Sequence, residues 1–274
     1  MLDVRELATL VDIDRYPIHD LASPTTKAVI AEARASLAER GVAALTGFLR
    51  PESSDQVAAD AMAAQTNAHL QNSAGTAYLE PPDEAQPDGH PRRIVQRSRT
   101  WVIAYDLVAE SNPIRRLFEW DGMTDFLAAV LQCSPLFRMD DPLGALNLTI
   151  MEHDHVQGWH YDSTDFVVSL AIQSSEAGGE FECARNIRDA THEHYEDVAR
   201  VMNGDADDLV RVYPMLPGTL MVFMGRHSLH RVAPVVGATP RIVGLLGYDT
   251  MPGTNSSDGL KRARYGRTES IGAQ

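Results

Sequence analysis

Gly158-Trp159-His160-Tyr161-Asp162 is answered seventy residues later by His230 and, eleven beyond that, by Arg241. On an extended strand, side chains two apart share a face, so His160 and Asp162 point toward one ion while Tyr161 points away. A lone His-x-Asp is common, and a purely structural role competes for it. The third donor comes from a distant element: His230 enters the apolar run Leu229-His230-Arg231-Val232, which Pro234 and Gly237 then end. Two imidazoles and one carboxylate, with no thiolate, occupy one face of an octahedral ion and leave the other positions exchangeable. That donor set suits oxygen chemistry at non-haem Fe(II). Residue type alone leaves manganese and zinc open. A ligating imidazole also needs an acceptor for its second N–H, and the sequence names none.

Around this run the chain reads as β structure, with candidate strands over 145–151, 166–173, 179–183, 220–224, 230–232 and 241–248, separated by Gly, Pro and Ser/Asp turns. No strand–helix alternation, glycine-rich dinucleotide loop, phosphate loop or internal repeat is present, which predicts a mainly β, cupin-like jelly roll with flanking helices. Upstream, Ser23-Pro24 starts and Gly41 stops a helix over 24–40. A strand over 42–49 and a helix over 52–69, with Val57, Ala61 and Ala64 at helical spacing, follow. After a strand over 100–107, a helix over 113–131 turns Leu117, Phe118, Phe126, Leu127, Val130 and Leu131 toward a core. These elements form an N-terminal helical buttress.

Between them, Pro81, Pro82, Pro87 and Pro91 interrupt any regular element over 78–91, giving a lid over the site as the preferred reading and an interdomain linker as the other. A polar, weakly periodic insertion spans 192–202. The expected organisation is one catalytic domain over 1–274: helical support, strands and the lid in 1–140, the metal-bearing core in 141–250, and a C-terminal tail in 251–274.

The composition narrows the partners. With 274 residues, 44% of them hydrophobic, the chain can bury one large core. Its 24 basic and 38 acidic side chains leave a net charge of −14, which disfavours nucleic acid and anionic membranes. The basic cluster Arg92, Arg93, Arg97 and Arg99 is short, and a solvated strand edge explains it as well as a binding patch does. Cys133 and Cys183 lie fifty residues apart without metal-type spacing and read as free thiols, with a disulfide between them as the other reading. The charged start Met1-Leu2-Asp3-Val4-Arg5-Glu6 lacks a secretory pattern, and no run matches a membrane span. A cytoplasmic enzyme acting on a small molecule is expected, with a homo-oligomer left open.

Several other residues compete for roles. His153-Asp154-His155 reads as an exposed turn leading into the site, His192-Glu193-His194 as a solvated face, and His227 as a rival to His230. Arg97 or Arg99 is a candidate for a substrate carboxylate, and Arg185 and Arg188 for an acidic substrate or for neutralising an acidic surface. Asn147 reads as orienting a co-substrate or the substrate, or as stabilising a turn, and Gln173 as a co-substrate contact donating a hydrogen bond to a carboxylate. Trp159 either walls the pocket or anchors the metal strand, the latter being the more common aromatic role.

Taken together, Trp159-His160-x-Asp162, His230-Arg231-Val232 and Arg241 resemble the iron(II)- and 2-oxoglutarate-dependent dioxygenases over about residues 147–248. The resemblance implies a double-stranded β-helix, with His160, Asp162 and His230 binding Fe(II) and Arg241 pairing with the distal carboxylate of 2-oxoglutarate. It selects His230 over His227, and it implies that O2 and 2-oxoglutarate are consumed to succinate and CO2. An arginine suits that role, since its planar fork binds a carboxylate through two charge-assisted hydrogen bonds. Gly178-Gly179-Glu180-Phe181-Glu182 and the run from Phe223 to Val232 are similar to the branch acting on free amino acids or related small molecules, which includes carrier-independent halogenases. Halogenating relatives carry a small residue at the metal carboxylate. Asp162 stands there in this chain, so the implied reaction is hydroxylation, with desaturation or cyclisation as alternatives. A non-catalytic cupin-like binding protein and a zinc hydrolase based on Glu152 or Asp165 are the competing classes.

Overall fold

The computed structural model describes residues 2–271. Its helices are α1 (Val4–Leu10), α2 (Pro24–Arg40), α3 (Pro51–Ala64), α4 (Pro113–Glu119), α5 (Asp121–Leu131), α6 (Tyr195–Asn203) and α7 (Asp258–Tyr265). Its strands begin with β1 (Val42–Leu45), β2 (His69–Gly75), β3 (Gln96–Ile103), β4 (Phe137–Arg138), β5 (Leu146–Met151), β6 (Gln157–His160), β7 (Val167–Gln173) and β8 (Ala177–Gly178). They continue with β9 (Phe181–Ala184), β10 (Val210–Tyr213), β11 (Leu220–Phe223), β12 (Leu229–Val232), β13 (Val235–Val236), β14 (Arg241–Leu246) and β15 (Tyr248–Asp249). None of the described helices is long and apolar enough to cross a membrane.

The main sheet runs β1-β11-β7-β14-β5-β3-β6-β12-β9-β10, with β2 on β3, and its pairs are antiparallel. The strand β3 is the fold's corner: Trp101 to Ile103 pair with β5, while Ser98 pairs with Gln157 of β6. The sheet therefore curls into two halves around one cavity, the jelly-roll double-stranded β-helix that the sequence predicts. Period-2 alternation explains what each face does. In β14, Ile242 and Leu246 enter the large core while Arg241, Val243 and Leu245 line the cavity. In β7, Val168, Leu170 and Ile172 face the core and Val167 and Ser169 the cavity. On the core side wait Ile30 and Ala33 of α2, Val57 and Ala61 of α3, Ile114 of α4 and Phe126 of α5. Each large aliphatic or aromatic side chain so buried contributes roughly 1.5–3 kcal/mol.

The helix α2 keeps its predicted bounds, with the Ser23 side chain accepting from Thr26 N and Gly41 in the left-handed region at φ 69°. The single helix expected over 113–131 is two. Trp120 is extended between them (φ −83°, ψ 124°), with its ring folded over Gly122 where any Cβ would collide. The helix expected to reach 69 ends at Ala64, and His69–Gly75 pairs instead with β3 along its whole length. Strand boundaries shift similarly: Val42–Leu45 is shorter than 42–49, and β3 lies earlier than 100–107.

Candidate active site

The strands β6 and β12 are antiparallel neighbours, and His160 lies opposite His230 in their register. Their rings are 4.2 Å apart. Asp162 lies two residues past His160, beyond the end of β6, and its amide donates to Gly225 O at 3.2 Å. Gly225 is required by the carboxylate itself, since a Cβ there would stand 2.8 Å from Asp162 Cγ. The distances are 3.2 Å from His230 Nε2 to Asp162 Oδ2 and 3.9 Å from His160 Nε2 to Asp162 Oδ1. One donor atom from each of the three residues lies within 4.8 Å of the others.

Backbone carbonyls hold both imidazoles in a ligating orientation. His160 Nδ1 donates to Gly158 O at 2.8 Å and His230 Nδ1 to Ser228 O at 2.9 Å. The His230 Nε2 lone pair is thereby left for an ion, while that of His160, on the same side, accepts from Gln157 Nε2 at 3.1 Å, a bond an ion would replace. Burial, then the neighbouring His230, pushes His160 down to about 4, so it is neutral at pH 7. Asp162 Oδ2 is buried without a hydrogen-bond partner. Two inward nitrogens and an orphaned carboxylate oxygen fit a divalent cation.

In the facing half, Arg241 opens β14 and is 7% exposed. Its one hydrogen-bonding contact among the described residues is Met151 Sδ, 3.9 Å from Nη1. Burial pushes its pKa down to about 10, leaving it cationic at neutral pH. A buried guanidinium facing a cavity, with no ion-pair partner among the described residues, is complementary to an anion, and its fork fits a carboxylate. The cavity also contains Gln71, Thr100, Thr149 and Gln157, the apolar Phe181, Met221, Phe223 and Val232, and Arg264.

The other sequence candidates fall elsewhere. Arg97 and Arg99 are exposed, because Ser98 and Thr100 take the inward face of β3; neither lines the cavity. Trp159 likewise faces outward, into a cluster with Ala184 and Val198 under the Arg231 guanidinium, so it anchors the strand and does not wall the pocket. Arg185 donates to Ala38 O and Glu39 O, satisfying carbonyls at the end of α2. Arg188 donates to Arg226 O and covers the Tyr161 ring at 3.8 Å. Gln173 is spent on Pro240 O at 2.8 Å, and Asn147 on Arg264 Nη2 at 3.2 Å. The expectation that His155 is exposed fails: it is 3% exposed, although it is no part of the donor set. The segment 78–91 connects two paired strands, β2 and β3, and Tyr78 packs on Tyr161 on the side of β6 away from the ion site. It contributes no residue to the cavity wall. Cys133 and Cys183 are free thiols, as expected.

Sequence reasoning missed Gln157 and Arg264. Gln157 Nε2 donates to His160 Nε2 at 3.1 Å, the atom turned toward the ion site. Arg264 sits in a segment read as a tail, although Ser257 at its start and Gly266 at its end are ordinary helix signals.

A double-stranded β-helix with His-x-Asp, a distant His and an inward arginine around one cavity defines a 2-oxoglutarate–Fe(II) oxygenase-type enzyme. The chain belongs to the halogenase D family, whose model matches residues 25–258. No curated protein matches it. Among solved structures it is similar to an oxidoreductase of the 2OG-Fe(II) oxygenase family from Burkholderia pseudomallei, at 17% identity and TM-score 0.53 over 82% of this chain and 93% of that one. It is also similar to AviO1 from Streptomyces viridochromogenes, at 17% identity and TM-score 0.54 over 86% and 99% of the two chains. The epimerase SnoN from nogalamycin biosynthesis aligns at 12% identity and TM-score 0.55, covering 90% of this chain and 97% of its own. At such identities the likeness is one of fold.

Proposed function

We propose that the protein is an Fe(II)- and 2-oxoglutarate-dependent oxygenase that hydroxylates an unactivated C–H bond of a free amino acid or similar small metabolite, with formation of succinate and CO2. The observation that carries this reading is a single cavity holding a three-donor set on one wall and, on the facing wall, the buried Arg241, which has no ion-pair partner among the described residues. Bound there, Fe(II) with 2-oxoglutarate and O2 would supply an oxidant able to convert C–H to C–OH. His160, Asp162 and His230 would hold the ion, and Arg241 the distal carboxylate of the co-substrate. Phe223, Met221 and Val232 exclude water and present an apolar wall to an aliphatic substrate. Asp162 favours hydroxylation over halogenation: its carboxylate fills the position that a small residue would open to a halide.

The test is succinate release from 2-oxoglutarate across a library of small metabolites, with and without O2 and Fe(II). Stimulation by one compound, together with its hydroxylated product, is the expected result. Equal activity of an iron-free preparation, or no O2-dependent succinate at all, rejects the reading.

A further inference from the structure

The C-terminal helix α7 is firmly placed against β2 and β3. Ser257 caps it by accepting from Leu260 N, Tyr265 is buried, and Lys261, 7% exposed, reaches the fully enclosed Asp141 at 3.6 Å. Basic side chains of this region otherwise have carboxylate partners: Arg262 lies near Asp258, and Arg267 pairs with Asp106 at 2.6 Å. Arg264 differs. It lines the cavity with His160, Asp162 and Arg241, and among the described residues it forms no ion pair. Its Nη2 donates to Asn147 Oδ1 at 3.2 Å, while its Nε is buried without a partner.

We infer that Arg264 is the substrate's anchor, and that the substrate is a small carboxylate with an uncharged, largely apolar body, not a cationic amino acid. This rests on the oxygenase reading and narrows its substrate, from free amino acids and similar small metabolites to carboxylates that bring no free ammonium into the cavity. Among the described residues, three formally charged side chains line the cavity with the two histidines: Asp162, Arg241 and Arg264. The first is committed to the ion and the second to the co-substrate, so the third is left with an unused donor and no counter-charge. A guanidinium in that state is complementary to a carboxylate. Among the described residues no second carboxylate lines the cavity to receive an ammonium, and burying one unpaired is unfavourable. Phe181, Met221, Phe223, Val232 and Leu245 supply the apolar remainder. An amine on the substrate therefore lies outside the cavity or is masked.

Anaerobic isothermal titration of the full chain, loaded with Fe(II) and saturated with 2-oxoglutarate, tests this with hexanoate, methyl hexanoate and hexylamine as probes. Hexanoate is expected to bind and the ester and amine to bind at least tenfold more weakly. Arg264→Met should weaken hexanoate at least tenfold and leave 2-oxoglutarate titration unchanged, Arg264→Lys should retain part of the affinity, and Arg241→Met should weaken 2-oxoglutarate instead. Absence of hexanoate binding to the wild type, undiminished binding to Arg264→Met, or equally tight hexylamine overturns the assignment. If 2-oxoglutarate fails to bind while hexanoate still depends on Arg264, the oxygenase reading falls and the anion site stands.

Discussion

At the scale of single residues, the cavity is a set of groups whose needs are unmet by the chain. Arg241 is buried with only a thioether contact, and such a charge destabilises the protein until an anion arrives. Arg241→Met should therefore raise the stability of the ligand-free protein by on the order of 1 kcal/mol, read as a higher melting temperature. The same variant should weaken 2-oxoglutarate by roughly 2–5 kcal/mol, the cost of losing a buried charge pair, measured by titration at fixed metal. A variant less stable than wild type when ligand-free would refute the first expectation. Gly225 makes a second case, because the Asp162 carboxylate fills the space a side chain would take. Gly225→Ala should turn that carboxylate away and lower metal affinity about 10–100-fold, as loss of a supporting contact around a ligand does. Chelator competition measures this, with circular dichroism confirming that the fold persists.

At the scale of elements, α7 shows how a helix far along the chain reaches the site. Asp141 accepts from Leu143 N at 2.9 Å and Ser256 N at 3.0 Å, and Lys261 faces it. Burial acts to raise the Asp141 pKa, but the donors of Ser256, Leu143 and Gly144 outweigh it and hold the group below the usual carboxylate range. Since its folded pKa lies below the unfolded value of about 3.9, its stabilisation is complete above that pH and is lost as pH falls through the folded pKa. Asp141→Asn should remove that acid dependence and cost about 3–5 kcal/mol by stranding the buried Lys261 ammonium. Hydrogen exchange should locate the loosening in α7 before β14; equal protection of α7 in both proteins would refute it. What holds α7 is an ion pair 120 residues apart, which no local pattern shows, although the Ser257 and Gly266 signals that bound the helix were there to be read. Strands such as β7 and β14 were legible because they are apolar toward the helices and largely apolar toward the cavity as well, with Ser169 and Arg241 the exceptions. The half-exposed β2 and β10, with no clean alternation, gave no signal. At the site, His160, Asp162, His230 and Arg241 were readable from spacing and resemblance. The inward or outward sense of β3 was not, because both its phases carry polar residues, and the exposed Arg97 and Arg99 were mistaken for inward ones.

At the scale of the whole molecule, the two halves of the curled sheet meet at the cavity with different tasks. One half supplies His160, Asp162 and His230, and the other supplies Arg241, so an ion and a dicarboxylate bound together would bridge them. A ligand that binds only the folded state stabilises it by about 2.7 kcal/mol at a hundred times its Kd. For a chain of this size, each kcal/mol moves the melting temperature by roughly 2–4 °C. Mn(II), a divalent ion suited to oxygen and nitrogen donors, should therefore raise the melting temperature by roughly 5–10 °C at that saturation. Adding 2-oxoglutarate should raise it again. In Asp162→Ala the first rise should vanish, and the metal-free protein should melt no lower than wild type, because the substitution removes a buried oxygen without a partner. In Arg241→Met the first rise should persist and the second disappear. A metal-induced shift that survives in Asp162→Ala would place the ion elsewhere, and a co-substrate shift that survives in Arg241→Met would separate the two halves' roles from the geometry of the cavity between them.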